Sequence, residues 1–362
     1  MNVGNPKGES EIEMTRQLEI KQPFNLELSL MMGQAFRWRE LGDGWFSGVL
    51  GENLVHIRQN DGGIEYRVGG PEGERRTTDA DDAMLRRYFR EDDDVAAIYA
   101  DISRDPKVAT IIEEFPGLRI LRQDPWECTV AYLCSANNNV KRIGTIVETI
   151  AGEFGHPLEL AGDASAVFPT PDQILADPDR VTKLKKMQLG LNRDKNIVKA
   201  AHRFVNGGLV ADVLRNSSYQ DVMPALMEGT RHKSKPNGIG PKVADCIALF
   251  SLDQLDAFPV DLWVWRAITE AYPEWGFPEN TKPSDLNLRE ASEQARQVFG
   301  KYAGYANQYL FYWRRRLGEE PLPFGTRWRG KLRITPPGGR QLDDRYLDEL
   351  RYEYLKAKYL SC

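Results

Sequence analysis

Between residues 24 and 68 the chain is written in short β-prone pieces, FRW, WFSGVL, LVHIRQ and IEYRV, separated by Gly42-Asp43-Gly44, Gly51-Glu52-Asn53 and Asn60-Asp61-Gly62-Gly63. Runs this short, bounded by turn residues, are most directly accommodated as an antiparallel meander. Beyond about residue 120 apolar residues recur at helical spacing, first Val130, Leu133 and Cys134, then Ile143, Ile146, Val147 and Ile150. Strands first and helices afterwards argue for an α+β chain rather than an alternating βαβ one: an N-terminal antiparallel β-sheet domain followed by an all-helical region. We expect a loose polar arm over residues 1–18, the β-rich domain over 19–122, the helical region over 123–320 and an extension over 321–362. Within these, 79–99 and 106–115 read as helices with Leu85, Tyr88 and Phe89 in the core, 170–179 as a loop, 219–230 as a short helix and 342–360 as a charged amphipathic helix.

The second constraint is KPNGIGPKVADCIALFSLDQLDAFPVDLWVWR, residues 235–266. Gly238 and Gly240 allow a tight turn, and Val243, Ile247 and Phe250 then follow at helical spacing. The first N–H groups of such a helix lack intrahelical partners and sit at its positive end, which suits a phosphate. Lys242 falls on the first turn and Cys246 one turn later on the same face, while Asp261, after Pro259, is placed to cap the next helix.

These residues resemble the helix-hairpin-helix and Gly/Pro-Asp region of base-excision DNA glycosylases, specifically the 8-oxoguanine DNA glycosylase/lyase branch. The resemblance implies a bifunctional enzyme that excises 8-oxoguanine from duplex DNA, with Lys242 as the Schiff-base nucleophile and Asp261 assisting it. The turn reads Pro236-Asn237-Gly238 where the family usually has Leu-Pro-Gly. A second stretch, MGQAFRWRELGDGWFSGVL, resembles the N-terminal domain of the same branch. By that likeness Gly33 offers its carbonyl to the N7 hydrogen that 8-oxoguanine has and guanine lacks. On the residues alone, Gly33 could simply ease entry into a strand.

Further site residues follow from the resemblance. The implied base pocket comprises Gly33, Cys246, Phe250, Pro259, Asn307 and Phe311. Cys246 and Phe311 sandwich the base, and Asn307, beside Gln308, stands where a glutamine normally reads its Watson–Crick edge. Asn137 and Arg142, joined by Arg193, would contact the cytosine left unpaired, and Gly238 and Gly240 the DNA backbone. The amides of Asn137, Asn138 and Asn139 read equally well as turn and capping residues. Asn192 replaces the family's wedge aromatic and Trp263 replaces the histidine of vertebrate members, while Tyr302, Tyr305, Tyr309 and Tyr312 read as core.

The net charge of −5 weakly disfavours a nucleic-acid partner, but its distribution matters more. Residues 180–203 carry eight basic side chains against one acid, whereas 72–101 carry ten acids against five arginines. One DNA-facing side accounts for this; a solvated helix face accounts equally for the basic run. The cysteines, Cys128, Cys134, Cys246 and Cys362, are spaced unlike a zinc or iron–sulfur loop, so no metal or cofactor is expected. Without a secretory signal or a membrane-length apolar run, we expect a soluble intracellular monomer whose partner is double-stranded DNA containing 8-oxoguanine opposite cytosine. Two alternatives stay open: a glycosylase of the superfamily with another lesion specificity, and a non-catalytic helix-hairpin-helix DNA-binding module.

Overall fold

Residues on the two faces of the N-terminal sheet go to two different cores, and this decides how the sheet is held. The computed structural model describes residues 15–70, 77–136, 138–187, 189–190, 192–228, 238–279 and 282–316; all lie within one compact unit, Met1–Gly318. The chain starts with β1 (Arg16–Leu18) and α1 (Leu26–Met31), then runs through β2 (Arg39–Gly42), β3 (Trp45–Leu50), β4 (Asn53–Asn60) and β5 (Gly63–Gly69). These strands form one antiparallel sheet in the order β1-β5-β4-β3-β2. Because side chains alternate along a strand, Phe46, Leu50, Val55, Ile57, Ile64 and Tyr66 turn to a core shared with Leu26, Leu30, Leu85 and Phe89. Val49 and Leu54 turn the other way.

That second face is covered by a hairpin the periodicity does not announce. Inside the region expected to be wholly helical, β6 (Pro157–Leu160) and β7 (Asp163–Ala166) pair through Ala161 and Gly162, both at positive φ (52° and 77°). Leu158 and Leu160 pack on Val49 and Leu54. Asp163 accepts from Ser47 Oγ at 2.6 Å and lies 2.9 Å from His56 Nε2.

Other local differences have similar tertiary causes. The arm expected over 1–18 ends as a strand, because Arg16 and Leu18 pair with Tyr66 and Ile64. Phe36-Arg37-Trp38 reads as a strand but forms none. Arg37 is drawn inward to Glu148 at 2.7 Å, while Trp38 fills the space a Cβ on Gly48 would occupy and donates to Tyr88 Oη.

The remaining helices of this half are α2 (Thr78–Tyr88), α3 (Val95–Ile102) and α4 (Pro106–Glu114). The single helix expected over 79–99 is therefore broken, at a turn where Arg90 takes φ +49° and reaches across to Asp253 Oδ1 at 2.7 Å. The helical half has α5 (Pro125–Leu133) and α6 (Val140–Phe154) before the hairpin. After it come α7 (Pro171–Ala176), α8 (Arg180–Lys186), α9 (Arg193–Val205), α10 (Ala211–Arg215), α11 (Tyr219–Leu226), α12 (Pro241–Ser251), α13 (Leu262–Ala271), α14 (Asp285–Phe299) and α15 (Ala303–Arg316). α7 stands where a loop was expected, since Thr170 and Gln173 close a capping box and Pro171 suits the first helical position.

α5 and α12 pack together at the centre, and almost every side chain from Trp126 to Leu133 and from Ala244 to Ser251 is buried. α15 approaches the loop before α13 so closely that a Cβ on Gly304 would meet the Leu255 carbonyl at 2.9 Å. The helix expected over 342–360 and Asn137 lie outside the described residues. No helix among the described residues is long and apolar enough to cross a membrane, and no cluster of three metal-ligating side chains occurs among them.

Candidate active site

The turn into α12 is made by Gly238 at φ +75°, where a Cβ would also collide with the Asn196 amide; Gly240 then occupies the N-cap position ahead of Pro241. This entry sets Lys242 on the first turn, half-buried, with Nζ donating to Ser135 Oγ at 3.3 Å and lying 5.2 Å from the centre of the Tyr132 ring. One turn on, the buried Cys246 thiol is in contact with Lys242. Burial pushes that thiol up to about 12, against the opposing pull of the Lys242 charge, so it stays protonated.

Asp261 caps α13, its Oδ1 accepting from the backbone N–H groups of Trp263 and Val264 at 2.8 Å each. Burial raises its carboxyl above the ordinary aspartate value, while the charges of Lys242 and Arg315 and the two cap hydrogen bonds pull it back. A carboxylate held by one oxygen and facing a lysine can orient the amine, take its proton and stabilise a nearby cation.

The other wall comes from the N-terminal domain. Gly33 follows α1 at φ +105°. Next to it Gln34 is buried and donates from Nε2 to the Ser29 and Arg119 carbonyls (2.8 and 2.7 Å), while its Oε1 accepts from Leu121 N–H at 2.9 Å. The Gln34 carbonyl accepts from Gln123 Nε2 at 2.8 Å and from Tyr132 Oη at 3.1 Å. Arg315, from the last turn of α15, donates to the Met32 carbonyl at 2.5 Å, and its guanidinium lies 5.9 Å from the centre of the half-buried Phe311 ring. Lys242, Cys246, Asp261, Gly33 and Phe311 are thus brought around one site through Tyr132 and Arg315.

Three of the residues expected to contact DNA have other partners. Asn307 is buried, donates to the Pro259 carbonyl at 2.9 Å and accepts from Gln308 Nε2 at 2.8 Å, so its amide braces the loop ahead of Asp261 instead of presenting an open edge. The buried Arg193 guanidinium donates to the Leu189 and Ala136 carbonyls and ties α9 to the segment that follows α5. Phe250 is buried and stacks on Tyr132, with ring centroids 5.5 Å apart. Arg142 is exposed on the first turn of α6, whose N-cap is Asn139. Of the basic run, Lys183 pairs with Asp177 and Glu153 and Arg203 holds the carbonyls of Leu226 and Ala225, whereas Lys185, Lys186, Lys195 and Lys199 are exposed.

Sequence reasoning missed Gln34, Tyr132, Ser135 and Arg315. Only Arg315 carried a readable signal, since it follows Phe311 by one helical turn.

Residues 17–129 match the family model described as 8-oxoguanine DNA glycosylase, N-terminal domain, and residues 130–294 match that of HhH-GPD superfamily base excision DNA repair proteins. Fold and site thus define a helix-hairpin-helix protein of the base-excision class. The chain is 33% identical over 297 residues to the N-glycosylase/DNA lyase OGG1 of Arabidopsis thaliana, covering 79% of this chain and 76% of that one. It is 29% identical over 312 residues to the N-glycosylase/DNA lyase of Saccharomyces cerevisiae, covering 78% and 81%. Among solved structures, the Clostridium acetobutylicum 8-oxoguanine glycosylase/lyase in complex with double-stranded DNA containing cytosine opposite 8-oxoguanine superposes with a TM-score of 0.69 at 28% identity, covering 81% of this chain and 92% of that one. The chain belongs to the 8-oxoguanine DNA glycosylase family, the N-glycosylase/DNA lyases.

Proposed function

We propose that this protein is a bifunctional DNA glycosylase and abasic-site lyase that removes 8-oxoguanine from duplex DNA, where the lesion faces cytosine. The observation that carries the reading is the meeting of Lys242, Cys246 and Asp261 at the mouth of α12, opposite the Gly33 loop. A glycosidic bond inside a duplex is out of reach until the nucleotide is rotated out of the stack, at a cost of a few kcal/mol that pocket contacts recover. Cys246 and Phe311 sandwich the extruded base, and the Gly33 carbonyl accepts from its N7–H.

Lys242 attacks C1′ as a neutral amine. The new N–C1′ bond forms as the bond to the base breaks, and the electron pair leaves with the base. Asp261, as a carboxylate, stabilises the positive charge that develops on the sugar, as carboxylates do in glycoside hydrolysis, and takes a proton from the Lys242 nitrogen once the base has left. Opening of the sugar gives a Schiff base on Lys242, and loss of a C2′ proton then expels the 3′ phosphate. Asn137 and Arg142 contact the unpaired cytosine, and the N–H groups at the start of α12 hold the DNA backbone. Asn307 acts indirectly, holding Pro259 and hence Asp261 in place.

The experiment is strand cleavage of matched duplexes carrying 8-oxoguanine or guanine opposite cytosine. Cleavage confined to the lesion strand supports the reading. Binding without cleavage of either duplex contradicts it and leaves a DNA-binding module.

A further inference from the structure

Gly33 is pinned on both sides and open between them. The carbonyl before it, on Met32, accepts from Arg315 Nη1 at 2.5 Å; the carbonyl after it, on Gln34, accepts from both Gln123 and Tyr132. Among the described residues no donor is bonded to the carbonyl of Gly33 itself. Its φ of +105° is available to glycine at no steric cost, so the peptide here has no intrinsic preference to hold it. Tertiary contacts must aim it. The Gln34 side is anchored within the N-terminal domain and by α5, whereas the Met32 side depends on a residue of α15, four positions after Phe311.

We infer that Arg315 is a positioning residue for lesion recognition, fixing the Met32–Gly33 peptide so that the Gly33 carbonyl faces the base held against Phe311. The inference rests on the functional reading above. A guanidinium suits the task because it can hold the Met32 oxygen while lying near the Phe311 ring, which the point charge of a lysine would do less well. The same guanidinium stands so close to Gly33 that an added Cβ would come within 2.7 Å of Nη1. Its charge also acts on Asp261, together with Lys242; the other titratable groups facing that carboxylate are Cys246 from α12 and Tyr132 from α5. Arg315 therefore links the loop that reads the base to the carboxylate that assists its removal.

The test uses Arg315→Met and Arg315→Lys in the full chain, with melting temperatures measured beside wild type. Single-turnover base release is followed on an 8-oxoguanine:cytosine duplex, and strand cleavage on the same duplex carrying a preformed abasic site. Loss of a hydrogen bond from a charged donor corresponds to roughly 10- to 150-fold in rate. We expect Arg315→Met to lose base release by that order and abasic-site cleavage at pH 8 by less than about threefold on the same scale. Its acid limb of base release should also move to higher pH, since a positive charge that holds Asp261 down is gone. Arg315→Lys should return the acid limb towards wild type while recovering base release only in part. Equal losses on both substrates, or full base release in Arg315→Met, would overturn the inference. A wild-type protein that acts on neither substrate would instead overturn the functional reading itself.

Discussion

The ring of Tyr132 lies 5.2 Å from the ammonium of Lys242, and the hydroxyl of the same tyrosine donates to the Gln34 carbonyl at 3.1 Å. One side chain therefore joins Lys242 of the helical half, the proposed nucleophile, to the Gly33-Gln34 loop of the other. Tyr132→Phe keeps the ring and removes only the hydroxyl. A neutral hydrogen bond contributes about 0.5–1.5 kcal/mol, or roughly 2- to 12-fold in rate. Excision of 8-oxoguanine should fall by that order with abasic-site cleavage nearly unchanged; equal losses would show that the hydroxyl serves Lys242.

Gly33→Ala places a Cβ where the backbone is at φ +105° and 2.7 Å from Arg315 Nη1. Either the peptide or the guanidinium must shift, and the Gly33 carbonyl loses its aim. The loss of one buried hydrogen bond costs about 1–3 kcal/mol, so excision of 8-oxoguanine should drop roughly 5- to 150-fold. An abasic-site substrate, with no base to read, should be cleaved nearly as before. Paired assays on the two duplexes decide it.

Asp261 combines a cap with a charge, and two substitutions separate them. Asn is as good an N-cap as Asp, so Asp261→Asn should keep the melting temperature while base release falls far more than DNA affinity. Asp261→Ala should add a stability loss of about 0.5–2 kcal/mol from the missing cap. An unchanged rate in Asp261→Asn would remove the carboxylate from the chemistry.

One residue before Cys246, Asp245 is buried in α12 with Tyr219 Oη donating to it at 2.7 Å, and burial raises its carboxyl to about 7. A raised folded-state value means the folded protein binds a proton more tightly than the unfolded chain. The stability cost is absent below the unfolded value, near pH 4, grows as pH rises and is complete above pH 7. Asp245→Asn removes it. Denaturant unfolding should show the variant and wild type close at pH 4 and the variant more stable at pH 8, by on the order of a few kcal/mol. A gap that narrows with rising pH would contradict the assignment.

What could be read in advance followed from local chemistry. The hairpins of β2 to β5 announce themselves through Gly-rich turns, and the Gly238 to Asp261 stretch shows in advance the turn into α12 and the cap of α13. What could not be read depends on distant partners. The β6–β7 hairpin turns on Ala161-Gly162, a pair without the usual Asn-Gly or Asp-Gly signal, and its Leu158 and Leu160 gain meaning only against Val49 and Leu54. Arg193 and Asn307 have residue types suited to reading bases, yet the carbonyls of Ala136 and Pro259 claim them. Tyr132 is one of two aromatic residues on a helix buried nearly all round, and no periodicity distinguishes it.

Lys242 is proposed to form a covalent bond to the sugar, and borohydride reduction tests this most directly. Wild-type protein incubated with an 8-oxoguanine:cytosine duplex and borohydride should migrate as a stable protein–DNA adduct. Lys242→Gln should fold, bind the same duplex and give no adduct, because an amide cannot form a Schiff base. An adduct of wild-type yield from Lys242→Gln would place the nucleophile elsewhere and contradict the account.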